Sequence, residues 1–267
     1  PITYINSTAA IKAFVGHNGG CVCTSSNASR VMEWALAGGT HPRSPGEDIK
    51  IIFLPDQHLG RNTAAQFGMD VRTQTCVYDP RRRKQGEELG GATPAQVLAS
   101  TVILWAGHCS VHKLFRPEHC DEIERLNQTK RTKDRMKILV HPECSKDVVD
   151  RADLAGSTEF IIQTIRASEP GSHWAVGTEV HLVKRLAREA AERGVHVRIL
   201  SDCQCLCTTM FRIDQPHMCW VLDNLVKGKV VNRITVGAAA RKLALQALDR
   251  MLKLAPAKPA AVAASVD

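Results

Sequence analysis

The sequence predicts an α/β protein made of repeated three-layer units with parallel sheets, and three observations lead there. Hydrophobic residues make up 44% of the 267 positions and aromatics only 4%, so the core must be Ala, Val, Ile and Leu, which suits helices packed on buried parallel strands. Short apolar runs are repeatedly followed by a polar or glycine-bearing corner and then by a helical pattern. This grammar appears in two series of three with the corner types in the same order, as expected for two copies of one unit.

The first series opens with ITYIN, strand-like through Ile2, Tyr4 and their β-branched neighbours, followed by the helical STAAIKAFV. GGCVCTSSN then leads into ASRVMEWALA, and IKIIFLPDQHLG into RNTAAQFG. Between Gly68 and Ser100 the periodicity fails, which predicts an inserted surface loop over about 69–100 with a short helix after Thr93. The apolar run TVILWAG then reaches HCSVH. The second series is KILVHPE with CSKDVVDRAD, DLAGST with EFIIQTIRA, and HWAVGTE with VHLVKRLAREAAERG. In its last helix Val180, Val183, Leu186, Ala187 and Ala190 share a face, and Gly194 stands where a left-handed cap belongs. VHVRIL returns as a strand, and such a succession requires parallel pairing through right-handed crossovers. The expected units are therefore 1–112 and 113–200, a C-terminal segment over 201–254, and a disordered Ala/Pro tail over 255–267. The C-terminal segment should end in a helix over about 238–254 with Leu245, Leu248 and Leu252 as its stripe.

Proline stands first where an initiator methionine is expected, so the chain reads as an internal or C-terminal fragment. No run of eighteen apolar residues and no charged-then-apolar leader occurs, which predicts a cytoplasmic protein without a membrane partner, its cysteines reduced or bound to metal. The formal net charge is +8, but the basic residues are spread along helices except for the run Arg81 to Lys84, read as a solvated loop. Small anionic substrates favour such a charge, and a nucleic-acid partner is not expected.

In parallel α/β layers ligands sit at the carboxyl ends of strands, where the next helix presents free N–H groups. Tyr4, Asn6, Ser25, Ser26, Asn27, Ser157, Thr158 and Thr178 fall at such corners. Each alone is an ordinary helix cap; together they outline a cavity suited to carboxylates and phosphate. His141 and Glu143 in LVHPEC can place a proton donor and an acceptor towards one ligand, although a capped turn has the same spacing. Asp56 and His58 form a weaker pair of the same kind.

Four of the ten cysteines lie within 201–220, beside Met210 and His217. If extended, Cys203, Cys205 and Cys207 point the same way, a cramped set for one tetrahedral ion, so one ligand is expected from the run. Cys109 in WAGHCSVH is a second thiol at a strand end. No paired CxxC motif completes a structural zinc site, which favours an iron–sulfur cluster, while His108 and His112 keep zinc open.

Taken in order, YINSTAAIKA, CTSSN, LPDQHLGRN, WAGHCSVH, HPEC, GST, GTEVHLVKRL and CLCTTMFRIDQPH resemble the quinolinate synthase family, from Pro1 to about Leu254. The resemblance implies a pseudo-threefold assembly of three α/β domains, here lacking most of the first, around a [4Fe–4S] cluster held by one cysteine from each. Cys109 and Cys207 match two ligands, the third lies in a motif this chain does not contain, and Cys23 matches none. It further implies condensation of iminoaspartate with dihydroxyacetone phosphate to quinolinate in NAD biosynthesis, and a functional link to an iminoaspartate-producing enzyme. Tyr4, Asn6, Ser25, Ser157 and Thr158 would hold the substrate. Tyr4, His141 and Glu143 would serve catalysis, with His112 in support, Thr178 and Met210 lining the cavity and Cys219 packing. Cys203 and Cys205 would be redox-sensitive neighbours, the 201–254 segment would return to the absent first domain, and the fragment alone would turn over little. A non-catalytic zinc-binding structural module is the alternative.

Overall fold

A computed structural model describes residues 1–201, 207 and 209–254. The expectations placed on Cys203, Cys205 and the 255–267 tail therefore lie outside the described residues. The chain runs β1 (Ile2–Tyr4), α1 (Ala9–His17), β2 (Cys21–Cys23), α2 (Ala28–Leu36), β3 (Ile51–Leu54) and α3 (Gln57–Gln66). It continues with β4 (Thr75–Tyr78), α4 (Pro80–Lys84), α5 (Pro94–Ala99) and β5 (Val102–Trp105). The second half holds α6 (Pro117–Gln128), β6 (Met136–Val140), α7 (Lys146–Val149), β7 (Leu154–Ala155), α8 (Thr158–Arg166), β8 (His173–Gly177), α9 (Val180–Ala191) and β9 (His196–Ile199). Helices α10 (Gln215–Val226) and α11 (Ala238–Leu254) follow.

Among the described residues the strands form two sheets, β2-β1-β3-β5-β4 and β7-β6-β8-β9, and every pair in them is parallel. The order β2-β1-β3-β5 repeats as β7-β6-β8-β9, so the two series seen in the sequence are two copies of one topology. Strand β4 is the extra member, and it corrects the reading of 69–100 as a loop. TCVY is too short to show periodicity, yet it pairs with β5 from Thr75 opposite Val102 to Tyr78 opposite Trp105. Its neighbour PRRRK is a helical turn capped by Asp79, whose Oδ1 accepts from the Arg81 N–H at 2.8 Å.

The central strands of each sheet are covered on both faces, which is why they are mostly apolar, while edge strands β7 and β9 bury no residue fully. On the first, Ile2, Cys21, Cys23, Phe53 and Leu104 pack against Val31 and Met32 of α2 and Leu59 of α3. On its other face Val22 and Leu54 meet Val15 of α1 and Ala247 of α11. The second sheet repeats the arrangement, with Ile138, Val140 and Ala175 against α6 and α7, and Leu139, Trp174 and Val176 against α8 and α9. Each fully buried Ile, Leu or Val contributes about 1.5–3 kcal/mol before conformational entropy is counted.

Helix α11 corrects the expected stripe of the C-terminal segment. It lies against α1 and β2, with Ala244 and Ala247 buried while Leu245 and Leu252 are exposed. A Cβ at Gly16 of α1 would fall 1.8 Å from the Leu243 carbonyl oxygen, so the two backbones nearly touch and only small residues fit between them. The stretch before it differs, for α10 buries no residue and Trp220, Leu222 and Val226 are exposed. Cys219, expected to pack, is exposed as well.

Candidate functional site

The corners that the sequence singled out lie at the carboxyl ends of strands in both sheets. Contacts link Tyr4 to Ser25 and His112 to His141, Glu143 and Thr178, whereas none links Asn6, Ser157 or Thr158 to them among the described residues. Tyr4 ends β1, is buried, and shares a hydrogen bond with Ser25 from the corner after β2. Burial raises its phenol above the usual range and the charge of Glu143 adds to this, with the Ser25 bond opposing. The corner that follows is held by Lys12, whose Nζ donates to the Ile5 carbonyl at 2.7 Å and also to Ser7. Asn27 fixes the next corner by accepting the Thr24 N–H at 2.6 Å. Asn6 and Thr158 are exposed, and Ser157 is buried as the cap of α8, accepting from the Phe160 N–H at 3.3 Å.

The densest group forms where the two sheets meet. His112, in a single 3₁₀ turn after the Cys109 corner, stacks on His141 with centroids 4.4 Å apart and planes 12° off parallel. Burial lowers both imidazoles, His112 to about 4 and His141 to about 3, the latter also because His112 lies beside it and despite Glu143. Two neutral rings can stack at this distance without the repulsion of two imidazoliums. The Glu143 N–H donates to His141 Nδ1 at 3.3 Å, which assigns the ring proton to Nε2. His112 Nε2 is 3.1 Å from the Thr178 hydroxyl at the end of β8.

One oxygen of Glu143 lies 2.9 Å from His112 Nδ1 and 3.3 Å from His141 Nδ1. The shorter contact lacks hydrogen-bond alignment, so His112 Nδ1 is a buried nitrogen without a partner. Burial raises the Glu143 carboxyl above its usual range, against the opposing influence of His141. A carboxyl raised by burial and facing two neutral imidazoles is a candidate for proton transfer.

The same place supplies metal ligands. A Cys109 sulfur, a His112 ring nitrogen and a Glu143 oxygen lie within 4.8 Å of one another. Cys207 packs on the same apolar cluster as Cys109. Burial pushes the Cys207 thiol up, but the Thr209 hydroxyl at 3.3 Å, the Met210 N–H at 3.4 Å and the Thr209 N–H outweigh it, so the net shift is downward. Burial raises the Cys109 thiol, although the N–H groups of His112 and Val111 point at it and oppose the shift. Cys23 is fully buried in the first core. Of the other sequence candidates, His108 and Met210 are exposed and Thr178 is buried.

Asp56 is more than the end of a turn. It is 3% exposed, its Oδ1 accepts from the Leu59 N–H and its Oδ2 from the Cys109 N–H, each at 2.8 Å. Burial, then the charge of Glu143, raises its carboxyl to about 7 against the pull of the N–H groups of Leu59, Cys109 and His58. Sequence reasoning missed this role and also Lys12, because neither bond follows from local spacing. Glu179, likewise unremarked, is buried and caps α9 through the N–H groups of His181 at 2.9 Å and Leu182 at 3.1 Å, beside Cys207.

Comparison with known proteins gives a consistent picture. The family model described as quinolinate synthetase A protein matches residues 1–253. A relative from Rhodopirellula baltica named quinolinate synthase is 49% identical over 253 residues, covering 94% of this chain and 59% of the relative. One of the same name from Nocardioides is 51% identical over 257 residues, covering 95% and 60%, and one from Acidobacterium capsulatum is 47% identical over 255 residues, covering 95% and 62%. The chain thus spans about 60% of the length of the curated relatives it matches.

Proposed function

The chain belongs to the quinolinate synthase family, and on that premise we propose that it carries the cluster-facing and proton-transferring part of a quinolinate synthase. The reaction is condensation of iminoaspartate with dihydroxyacetone phosphate to quinolinate, with loss of phosphate and water, in NAD (pyridine nucleotide) biosynthesis. It is transferase chemistry that forms a C–C bond, in a cytoplasmic enzyme supplied by an iminoaspartate-producing partner. The observation that carries this reading is the Glu143 carboxyl beside two stacked neutral histidines, at metal-ligand distance from Cys109.

Cys109 and Cys207 would hold a [4Fe–4S] cluster together with a third thiolate from outside the described residues. The donors around Cys207 favour the thiolate form that such a cluster requires. When bound, such a cluster would supply Lewis acidity for carboxylate, carbonyl or hydroxyl oxygens. Tyr4, Asn6, Ser25, Ser157 and Thr158 bind the carboxylates and phosphate of the substrates. Glu143 takes and returns protons during imine formation and dehydration, and His141 orients the intermediates by donating a hydrogen bond from Nε2. Tyr4, whose phenol stays protonated, donates a hydrogen bond rather than acting as a base.

Anaerobic reconstitution with iron and sulfide tests the reading. The full-length protein should turn brown, hold iron and sulfide in equal amounts and form quinolinate, whereas residues 1–267 alone should bind the cluster poorly and turn over little. Full occupancy with near-normal turnover in residues 1–267 overturns the requirement for a third thiolate. A colourless, sulfide-free zinc protein in both forms supports the structural-module alternative.

A further inference from the structure

Helix α3 belongs to the first sheet, yet one of its side chains holds a corner of the second. Asn62 is 3% exposed, and its Nδ2 donates to the carbonyl oxygens of Pro142 and Cys144, each at 2.8 Å. These carbonyls flank Glu143, so both amide hydrogens are spent on fixing the backbone that carries the carboxyl. The remaining amide atom, Oδ1, is buried with no partner among the described residues, a cost retained although a residue without an acceptor would remove it. Six residues earlier, Asp56 caps the same helix and binds the Cys109 N–H. The helix itself is pressed onto the sheet at Gly60, where a Cβ would fall 2.6 Å from Leu104 Cδ2 and 2.8 Å from the Phe53 ring. Little play remains between Asp56 at its start and Asn62 in its middle.

Few side chains could replace Asn62. Serine supplies one donor where two acceptors wait, aspartate sets a negative charge against two carbonyl oxygens, and glutamine carries the amide too far. Resting on the function proposed above, we propose that Asn62 is a positioning residue for the reaction. From α3 it immobilises the Pro142–Cys144 backbone and, with Asp56, sets the separation between the Cys109 metal-ligand turn and Glu143. The two bonds divide the work: Asp56 governs the ligand turn, and Asn62 governs the carboxyl that meets it.

The test uses the reconstituted full-length enzyme with Asn62→Leu, Asn62→Ser and Asp56→Asn. In Asn62→Leu, kcat should fall at least tenfold with KM within twofold of wild type, while iron and sulfide content and the spectrum of the reduced, substrate-free cluster stay unchanged. Hydrogen exchange of the 141–145 amides should rise at least tenfold, while the amides of β8 keep wild-type protection. Asn62→Ser, which keeps one donor, should show the same pattern at a smaller size and carries the test if the leucine variant does not fold. Asp56→Asn should shift the spectrum of the reduced cluster. Wild-type kcat in Asn62→Leu, loss of iron in parallel with activity, or unchanged exchange at 141–145 overturns the positioning role, and an unchanged Asp56→Asn spectrum overturns the division of work. A wild-type enzyme that makes no quinolinate overturns the proposed function instead, and the exchange measurement still decides whether the clamp exists.

Discussion

The corner after β1 and the corner after β6 occupy equivalent places in two sheets of the same strand order, but they are furnished differently. The first carries Tyr4 and Asn6 and is tied down by Lys12 from its own unit; the second carries His141 and Glu143 and is tied down by Asn62 from the other unit. Burial raises both the Tyr4 phenol and the Glu143 carboxyl and lowers the His141 imidazole. Duplicating a backbone frame supplies two strand-end platforms, and the roles proposed above divide between them, Tyr4 binding substrate and Glu143 moving protons. The Cys109 and Cys207 thiols form a similar contrast, one pushed up by burial and one drawn down by hydrogen bonds.

The largest effects should come from the thiols. In the full-length protein, Cys109→Ser and Cys207→Ser should each abolish cluster iron and sulfide, while Cys23→Ser, from the buried core of the first sheet, should keep both. Iron retained in either of the first two would remove that residue from the ligand set. Next come the two corners. Glu143→Gln should lower kcat by about 10²–10⁴ with little change in KM, the range for loss of a general acid–base. Tyr4→Phe should mainly raise KM, and equal losses of kcat in both variants would break the division between binding and chemistry.

A smaller effect concerns the outer faces of the sheets. Among the described residues a glycine admits a helix as close as α11 only in the first, so Gly16→Ala should destabilise the chain by about 1–3 kcal/mol as the helices part, measured by urea unfolding. The smallest concerns His58, lowered to about 4 first by burial and then by Arg61, His108 and Lys113. Its folded value lies below the unfolded value near 6.5, so the unfolded chain takes the proton first. Wild type should therefore lose stability relative to His58→Asn as pH falls from 6.5 towards 4, modestly because the ring is partly solvated. Parallel stability curves for the two proteins would contradict this assignment.

The fold was legible because its signal is local. Apolar runs, corners and helix stripes recur every few residues, and Val180, Val183, Leu186 and Ala190 are buried as their spacing requires. Strand β4 was hidden because four residues beside a charged helix offer no period, and its evidence lies in pairing with β5, about 25 residues away. The stripe of α11 was misread because large residues usually mark the buried face, whereas backbone approach at Gly16 selects Ala244 and Ala247. Within the site, the side chains at strand ends could be named from sequence. Their supports could not, since Asn62 acts on Pro142 and Cys144 some 80 positions away.

The contact of α11 with α1 also orders events during synthesis. Residues 238–254 are the last described part of the chain, yet they cover the face of the first sheet formed by Val15, Val22 and Leu54, and Arg250 donates to the Gly20 carbonyl at 2.7 Å. A chain emerging from the ribosome must carry that apolar face covered by α1 alone while the whole second sheet is made. Of the two described sheets, the one made first is sealed on this face only after the other is complete.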